Sequence, residues 1–216
     1  MKIKWYGHSS FLLRTQAGVR LFTDPCGPYT GYVLKDIIAD AVTISHSHSD
    51  HDYLGAFSNT PHVINSEGLH EFKGIRITGI PSYHDESAGK ERGTNLIFLF
   101  EFDGLRVAHL GDLGDLPTDD AYAQLGKLDV LLAPVGGTYT IGPSRACEIA
   151  CKTQANIFIP MHYQTPTLTL EKKLLGIEST LSIAKGWHIH KLNQNEAVIT
   201  KESLGENRLL VFDYAK

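Results

Sequence analysis

The sequence has little of what stabilises small secreted proteins. Its cysteines are Cys26, Cys147 and Cys151, an odd number too small for a disulfide framework. A reducing cytoplasm is therefore the expected compartment. No apolar run approaches the ~18 residues of a membrane span, so no membrane partner is expected. Positive charge is not in surplus: 20 Lys and Arg stand against 24 Asp and Glu, for a formal charge of −4. Without a basic block, the chain lacks the electrostatic footprint of a general nucleic-acid binder. Met1–Gly7 has no apolar core followed by a cleavage site, so no signal peptide is expected. Repeats, low-complexity tracts and linkers are missing too. With 216 residues, this reads as a single domain over 1–216.

A chain of this size buries roughly 70% of its unfolded surface, and 42% hydrophobic residues suffice for a substantial core. The first half reads as strands: Ile3–Tyr6, Phe11–Arg14, Val19–Phe22, Ala41–Ser45, His62–Asn65 and Ile75–Ile80. Thr94–Phe102 and Leu105–Leu110 flank Asp103-Gly104 and form the clearest hairpin. The second half alternates. Helices are expected at Asp119–Leu125, Pro143–Thr153 and Glu178–Lys185. Strands are expected at Asp129–Ala133, Ile157–Pro160, Trp187–Leu192, Ala197–Thr200 and Leu209–Phe212. These elements suggest an α/β (α+β) fold of sheets covered by helices.

Eleven histidines are the informative abundance. Ser45-His46-Ser47-His48-Ser49-Asp50-His51 continues directly from a buried-strand run. In extended backbone His46 and His48 point the same way, and a turn then brings in Asp50 and His51. Imidazoles and a carboxylate at this spacing suit divalent metal. Three later residues, each delivered by an apolar strand, can complete a site: His84, Asp112 and His162.

His-x-His-x-Asp-His followed by His84, Asp112 and His162 resembles the metallo-β-lactamase superfamily. Trp5-Tyr6-Gly7-His8-Ser9-Ser10-Phe11, Thr23-Asp24-Pro25, Leu110-Gly111-Asp112, Pro134-Val135-Gly136-Gly137-Thr138-Tyr139-Thr140 and Ile159-Pro160-Met161-His162-Tyr163 resemble its small ascorbate-6-phosphate-lactonase-like branch. The resemblance implies a four-layer αββα sandwich with the site along one edge. It implies a first metal on His46, His48 and His84, a second on Asp50, His51 and His162, and Asp112 bridging both. The expected cofactor is two divalent ions. Zinc is preferred because redox members of the superfamily typically carry glutamate at the place of His48; Mn²⁺ and Fe²⁺ also suit the donors.

Two ions ~3.5–4 Å apart can share a hydroxide that attacks a carbonyl carbon or a phosphorus. The expected activity is metal-dependent hydrolysis of a small ester or lactone, such as a phosphorylated sugar lactone, with Asp50 as catalytic proton shuttle. The alternatives are a phosphodiesterase and a non-catalytic metal-binding protein. The expected partner is a small-molecule substrate.

Around the ligands, His8 is a candidate for lining the pocket or holding a loop. Asp24 is a candidate for orienting a ligand imidazole or for a turn before Pro25. His109 is expected beside the site or at the pocket, not as a ligand. Tyr139, Thr140 and Tyr163 are candidates for substrate contact or packing, and Lys90, Arg92 and Arg145 for anion binding. Asp85 reads as a solvated loop acid. His188-Ile189-His190 reads as two exposed strand histidines, with Trp187, Ile189 and Leu192 on the buried face. Cys147 and Cys151 read as part of an apolar helix face.

Overall fold

A computed structural model describes residues 1–214. Strands β1 (Lys2–Gly7), β2 (Ser10–Arg14), β3 (Arg20–Thr23), β4 (Ala41–Thr43) and β5 (His62–Ile64) come first. Then come β6 (Gly68–Phe72), β7 (Ile75–Tyr83), β8 (Thr94–Phe102) and β9 (Leu105–His109). The second half runs α1 (Asp119–Leu125), β10 (Val130–Pro134), α2 (Pro143–Lys152), β11 (Ile157–Met161), α3 (Ile177–Ile183), β12 (His188–Lys191), β13 (Glu196–Val198) and β14 (Arg208–Val211). They make a six-stranded sheet, β13-β1-β2-β3-β4-β5, and an eight-stranded sheet, β12-β14-β11-β10-β9-β8-β7-β6.

Side-chain alternation explains how the sheets face each other. Ile3, Trp5, Phe11, Leu13, Leu21 and Ala41 point into the core between the sheets. Phe22 and Val42, one residue on, point to the opposite face and pack with Tyr32, Leu34, Ile37 and Ala56. Burying each large side chain fully contributes about 1.5–3 kcal/mol. Both β10 and β11 are buried along their whole length, as expected for parallel strands with both faces covered.

α1 touches β7 and α2 touches β10 and α3. The layer outside the six-stranded sheet is not α-helical among the described residues. The 3₁₀ turns Pro28–Thr30 and Leu54–Ala56 and irregular chain supply its apolar cover.

Local chemistry sets the element ends. Phe102 pairs with Leu105 across Asp103 and Gly104, whose φ values of 54° and 71° make the type I′ turn that suits a hairpin. Thr118 caps α1 by accepting from the Ala121 amide, and Pro143 opens α2.

Within the secondary-structure elements, the structure corrects three sequence-based expectations. β6 is additional to the expected strands, because Gly68-Leu69-His70-Glu71-Phe72 is a largely exposed edge strand without apolar alternation. β12 is exposed at all four residues, with Ile189 42% exposed, because it lies at the sheet edge. Cys151 is exposed, because the buried face of α2 is made by Pro143, Ala146, Ile149 and Ala150; Cys147 is half-buried.

Strand direction decides where the polar strand ends gather. β1 and β3 are both antiparallel to β2, and β4 is parallel to β3. β7 and β9 are both antiparallel to β8, and β10 and β11 are parallel to β9. The C-terminal ends of β1, β3 and β4 therefore share one rim, as do those of β7, β9 and β11. No helix among the described residues is long and apolar enough to cross a membrane.

Candidate metal centre

Those strand ends deliver the polar residues. His8 follows β1, Asp24 follows β3, His46–His51 follow β4, His84 follows β7, Asp112 follows β9 and His162 follows β11. Three of them, His8, Asp24 and His162, take left-handed backbone, with φ of 52°, 39° and 49°. Non-glycine residues in that region cost energy and cluster at functional sites.

Asp112 sits at the centre and is 2% exposed. Its Oδ2 is 3.1 Å from His162 Nε2, 3.3 Å from His84 Nε2 and 3.9 Å from His46 Nε2. Its Oδ1 is 3.2 Å from His51 Nε2. Two groups of potential ligand atoms flank it. His46, His48 and His84 form one; His8, Asp50, His51 and His162 form the other, with the atoms of each group within 4.8 Å of one another. The structure thus brings together all seven expected ligands.

Asp24 organises both groups from behind. Oδ1 accepts from the Ser45 amide at 2.8 Å, and Oδ2 accepts from Ser45 Oγ at 2.5 Å and from His51 Nδ1 at 2.9 Å. Ser45 Oγ in turn accepts from His46 Nδ1 at 2.9 Å. These bonds assign the proton of both rings to Nδ1 and leave Nε2 for a ligand, the usual service of such a carboxylate. His46 Nε2, His51 Nε2 and Asp112 Oδ1 are buried without a hydrogen-bond partner. Buried polar atoms left so are costly, and cations bound by the two groups would satisfy them.

The charges fit the same occupant. Burial, followed by the neighbouring His51, pushes the His46 pKa down to about 3, so this ring is neutral with a free lone pair. Burial alone would lower His51, but the carboxylates of Asp112 and Asp50 outweigh it and hold this ring well above its ordinary value. Burial likewise would raise Asp112, yet His162 and His51 hold it well below the ordinary carboxylate range. Without metal, a proton on His51 supplies positive charge that a cation would otherwise bring. Nitrogen and oxygen donors of this kind suit Zn²⁺, and also Mn²⁺ or Fe²⁺.

Two supports of Asp112 carry weak sequence signals. Asn95, inside β8, accepts from the Asp112 amide at 2.9 Å and donates to the Leu110 carbonyl at 3.0 Å. A buried polar residue just before the apolar run Leu96–Phe100 of β8 is the clue. Gly111 has φ of 56°, and a Cβ there would collide with Asn95 Oδ1 and come within 2.6 Å of Ser45 Cβ; only glycine lets the two loops meet.

Asp85 is not a solvated acid. It is 3% exposed and accepts from the amides of Ser87, Gly89, Glu91 and Arg92 at 2.8–3.0 Å. Burial would raise its pKa; the four amides outweigh that and hold it low. Asp85 thereby shapes the loop that carries Arg92.

His109 lies off the ligand set. Its buried ring donates from Nε2 to the Ser9 carbonyl at 2.9 Å and accepts at Nδ1 from the Gly111 amide at 3.2 Å. It ties the β1–β2 turn to the Asp112 loop. Tyr163 does not line the pocket. It is 5% exposed and packs on Trp5 with ring centroids 5.4 Å apart.

A cavity of about 310 Å³ opens over the centre, lined by His48, Asp50, His84 and Asp112 and rimmed by Tyr29, Arg92, Tyr139, Leu170 and Glu171. Of the anion-binding candidates only Arg92 lines it. Arg145 instead pairs with Glu86 and Asp115 at 2.6 and 3.1 Å. Leu170 and Glu171 come from a stretch without a recognisable motif. A larger cavity of about 700 Å³ lies elsewhere and includes His46 but no other ligand; size does not mark the chemistry.

Comparison with known proteins agrees with this geometry. Residues 2–162 match the model of the beta-lactamase superfamily domain. A protein of Methanoculleus marisnigri named as a metal-dependent hydrolase is 31% identical over 210 residues, covering 85% of this chain and 91% of that protein. One of Pelotomaculum thermopropionicum with the same name is 25% identical over 229 residues, covering 92% and 99%. A solved structure from Thermotoga maritima, described as a member of the metallo-beta-lactamase superfamily, superposes with a TM-score of 0.78. It shares 33% identity, and 97% of each chain is covered.

Proposed function

The chain belongs to the beta-lactamase superfamily, and on that premise we propose that it is a metal-dependent hydrolase of a small ester or lactone, built to hold two ions, with a phosphorylated sugar lactone as the leading candidate. The observation that carries this reading is the Asp112 carboxylate, which turns Oδ2 toward His84, His162 and His46 and Oδ1 toward His51. His46, His48 and His84 would hold one ion, and Asp50, His51 and His162 the other, with Asp112 shared. Zinc is the favoured metal on the donor set. Bound divalent ions supply Lewis acidity, lowering the pKa of water toward ~7 and stabilising negative charge that develops on oxygen.

The chain's own residues do the rest. Asp24, through His51 and Ser45, keeps the ligand rings in one tautomer. Asp50 lines the cavity and is only partly exposed, so its carboxylate can take a proton from an attacking water and return it to a leaving oxygen. Arg92 is the one cationic side chain among the described lining residues. A guanidinium there offers paired donors to a phosphate or carboxylate on the substrate. A cavity of about 310 Å³ stands at the small end of ligand pockets. A single rim cation suits a small anion and falls short of what a polynucleotide backbone needs.

The test is initial hydrolysis rates of zinc- and manganese-loaded protein on sugar lactones, acyl esters and an activated phosphodiester, with Asp112→Ala as background. Lactone hydrolysis lost in that variant supports the proposal. Preference for the phosphodiester overturns the substrate class and keeps the hydrolase; two bound ions with no turnover on any of them favour a non-catalytic role. In the active protein, Asp50→Ala should lower turnover more than it raises KM, and unchanged turnover at full metal loading removes Asp50 from proton transfer.

A further inference from the structure

His8 lies beside the ligands of the second ion without a role in that ligand assignment. The ring is 1% exposed. Its Nε2 is 3.1 Å from Asp50 Oδ2, the same oxygen that lies 3.6 Å from His51 Nε2. It packs on His162 with ring centroids 4.1 Å apart. The other ring nitrogen, Nδ1, is buried with no partner.

The backbone leaves this ring little freedom. His8 has φ of 52°, and its carbonyl accepts from Trp5 Nε1 at 3.0 Å and from the His162 amide at 3.2 Å. One peptide unit is thus tied to the core and to a ligand loop. A non-glycine residue in left-handed backbone is strained, and such residues cluster at functional sites; here one donor is local and the other comes from the distant His162 loop.

We propose that His8 is a positioning residue. Its Nε2–H donates to Asp50 Oδ2 and sets the rotation of that carboxylate, while its ring face holds the His162 imidazole, so that Asp50, His51 and His162 meet one cation together. The proposal rests on the two-ion reading of the centre. Carboxylate and imidazole ligands are usually held by such outer hydrogen bonds, whose loss costs about 10–100-fold in metal affinity. A direct ligand role is the competing outcome, since the His8 nitrogen lies within the same group of ligand atoms.

The experiment compares full-length wild type with His8→Phe, which keeps a ring but no donor, and His8→Gln, which keeps a donor at the place of Nε2. Circular dichroism of the metal-free proteins checks folding. Zinc titration calorimetry should show the second binding step weakened about 10–100-fold in His8→Phe, the first unchanged, and His8→Gln within about threefold of wild type. The visible spectrum of the cobalt-loaded His8→Gln protein should overlay that of wild type. In zinc-loaded wild type, long-range nitrogen–proton NMR should place the His8 proton on Nε2, which needs no variant to fold. Wild-type affinity in His8→Phe overturns the proposal. So does a proton on Nδ1 with a shifted cobalt spectrum, which makes His8 a ligand. Wild type that binds one ion overturns the two-ion reading instead, and the proton on Nε2 then still supports the His8–Asp50 contact.

Discussion

Two His-x-His pairs in one chain have opposite fates. His46 and His48 leave the end of buried β4, and five other strand ends deliver side chains to the same rim. His188 and His190 lie within β12, exposed along its length at the edge of the eight-stranded sheet, and neither belongs to any metal-capable group among the described residues. Spacing along the chain is identical. What differs is whether other strands end nearby, whether a buried carboxylate such as Asp24 fixes a ring's tautomer, here that of His46 through Ser45, and whether buried partners such as His84 and Asp112 stand beside the pair. A pair of histidines is a half-site until the sheet order completes it.

The largest effect should come from removing what only the first pair has in front of it. Asp112→Ala is expected to lose more than ~100-fold in metal affinity, beyond what loss of an orienting group alone costs, with metal content after dialysis as the readout. Retention of two ions would break the comparison, because the pair would then hold metal without its shared carboxylate.

Next comes what stands behind the pair. Asp24→Ala strands the His51 ring, the Ser45 amide and the Ser45 hydroxyl without an acceptor. It should cost about 3–5 kcal/mol of stability, as for a broken buried pair, read by urea unfolding, and about 10–100-fold in zinc affinity.

A smaller effect separates the environments by pH in metal-free protein. His46 and His8, with folded pKa values pushed down to about 3 and about 4, burial being the main cause, bind fewer protons folded than unfolded. Their contribution is full above the ordinary value near 6.5 and is lost as pH falls toward 4. His51, held high by Asp112 and Asp50 against burial, contributes fully below 6.5 and loses that contribution as pH rises. Thermal melts of metal-free protein should therefore peak near pH 6.5, and saturating zinc should flatten the profile. A melting temperature still rising through pH 8 would remove His51 as a stabilising cation.

The smallest effect is expected at the other pair. His188→Ala with His190→Ala should leave zinc stoichiometry unchanged and shift stability by no more than about 0.5 kcal/mol, the range of ordinary surface changes. Loss of a bound ion in that variant would mean that spacing alone suffices.

Legibility depends on range. The hairpin across Asp103-Gly104 and the strands with alternating or continuous apolar residues are readable, because their causes lie within a few residues. β6 is not, since an exposed edge strand needs no apolar pattern. Asp85 passes for a solvated acid because its four partners are backbone amides, which nearly every residue has. Tyr163 comes directly after His162, yet its ring turns to Trp5. The cover of the outer face of the six-stranded sheet is hard to read as well, because 3₁₀ turns and irregular chain carry no periodic pattern.

The sequence by itself determined that side chains able to bind metal cluster in the loop after β4, and it carried the family resemblance, because residue type and short spacing hold both. The tertiary structure alone decided which ring nitrogen faces the centre, that Arg92 and not Arg145 reaches the cavity, and that His8 meets Asp50. Those outcomes depend on strand direction and on hydrogen bonds between segments far apart in the chain, and local periodicity holds no record of either.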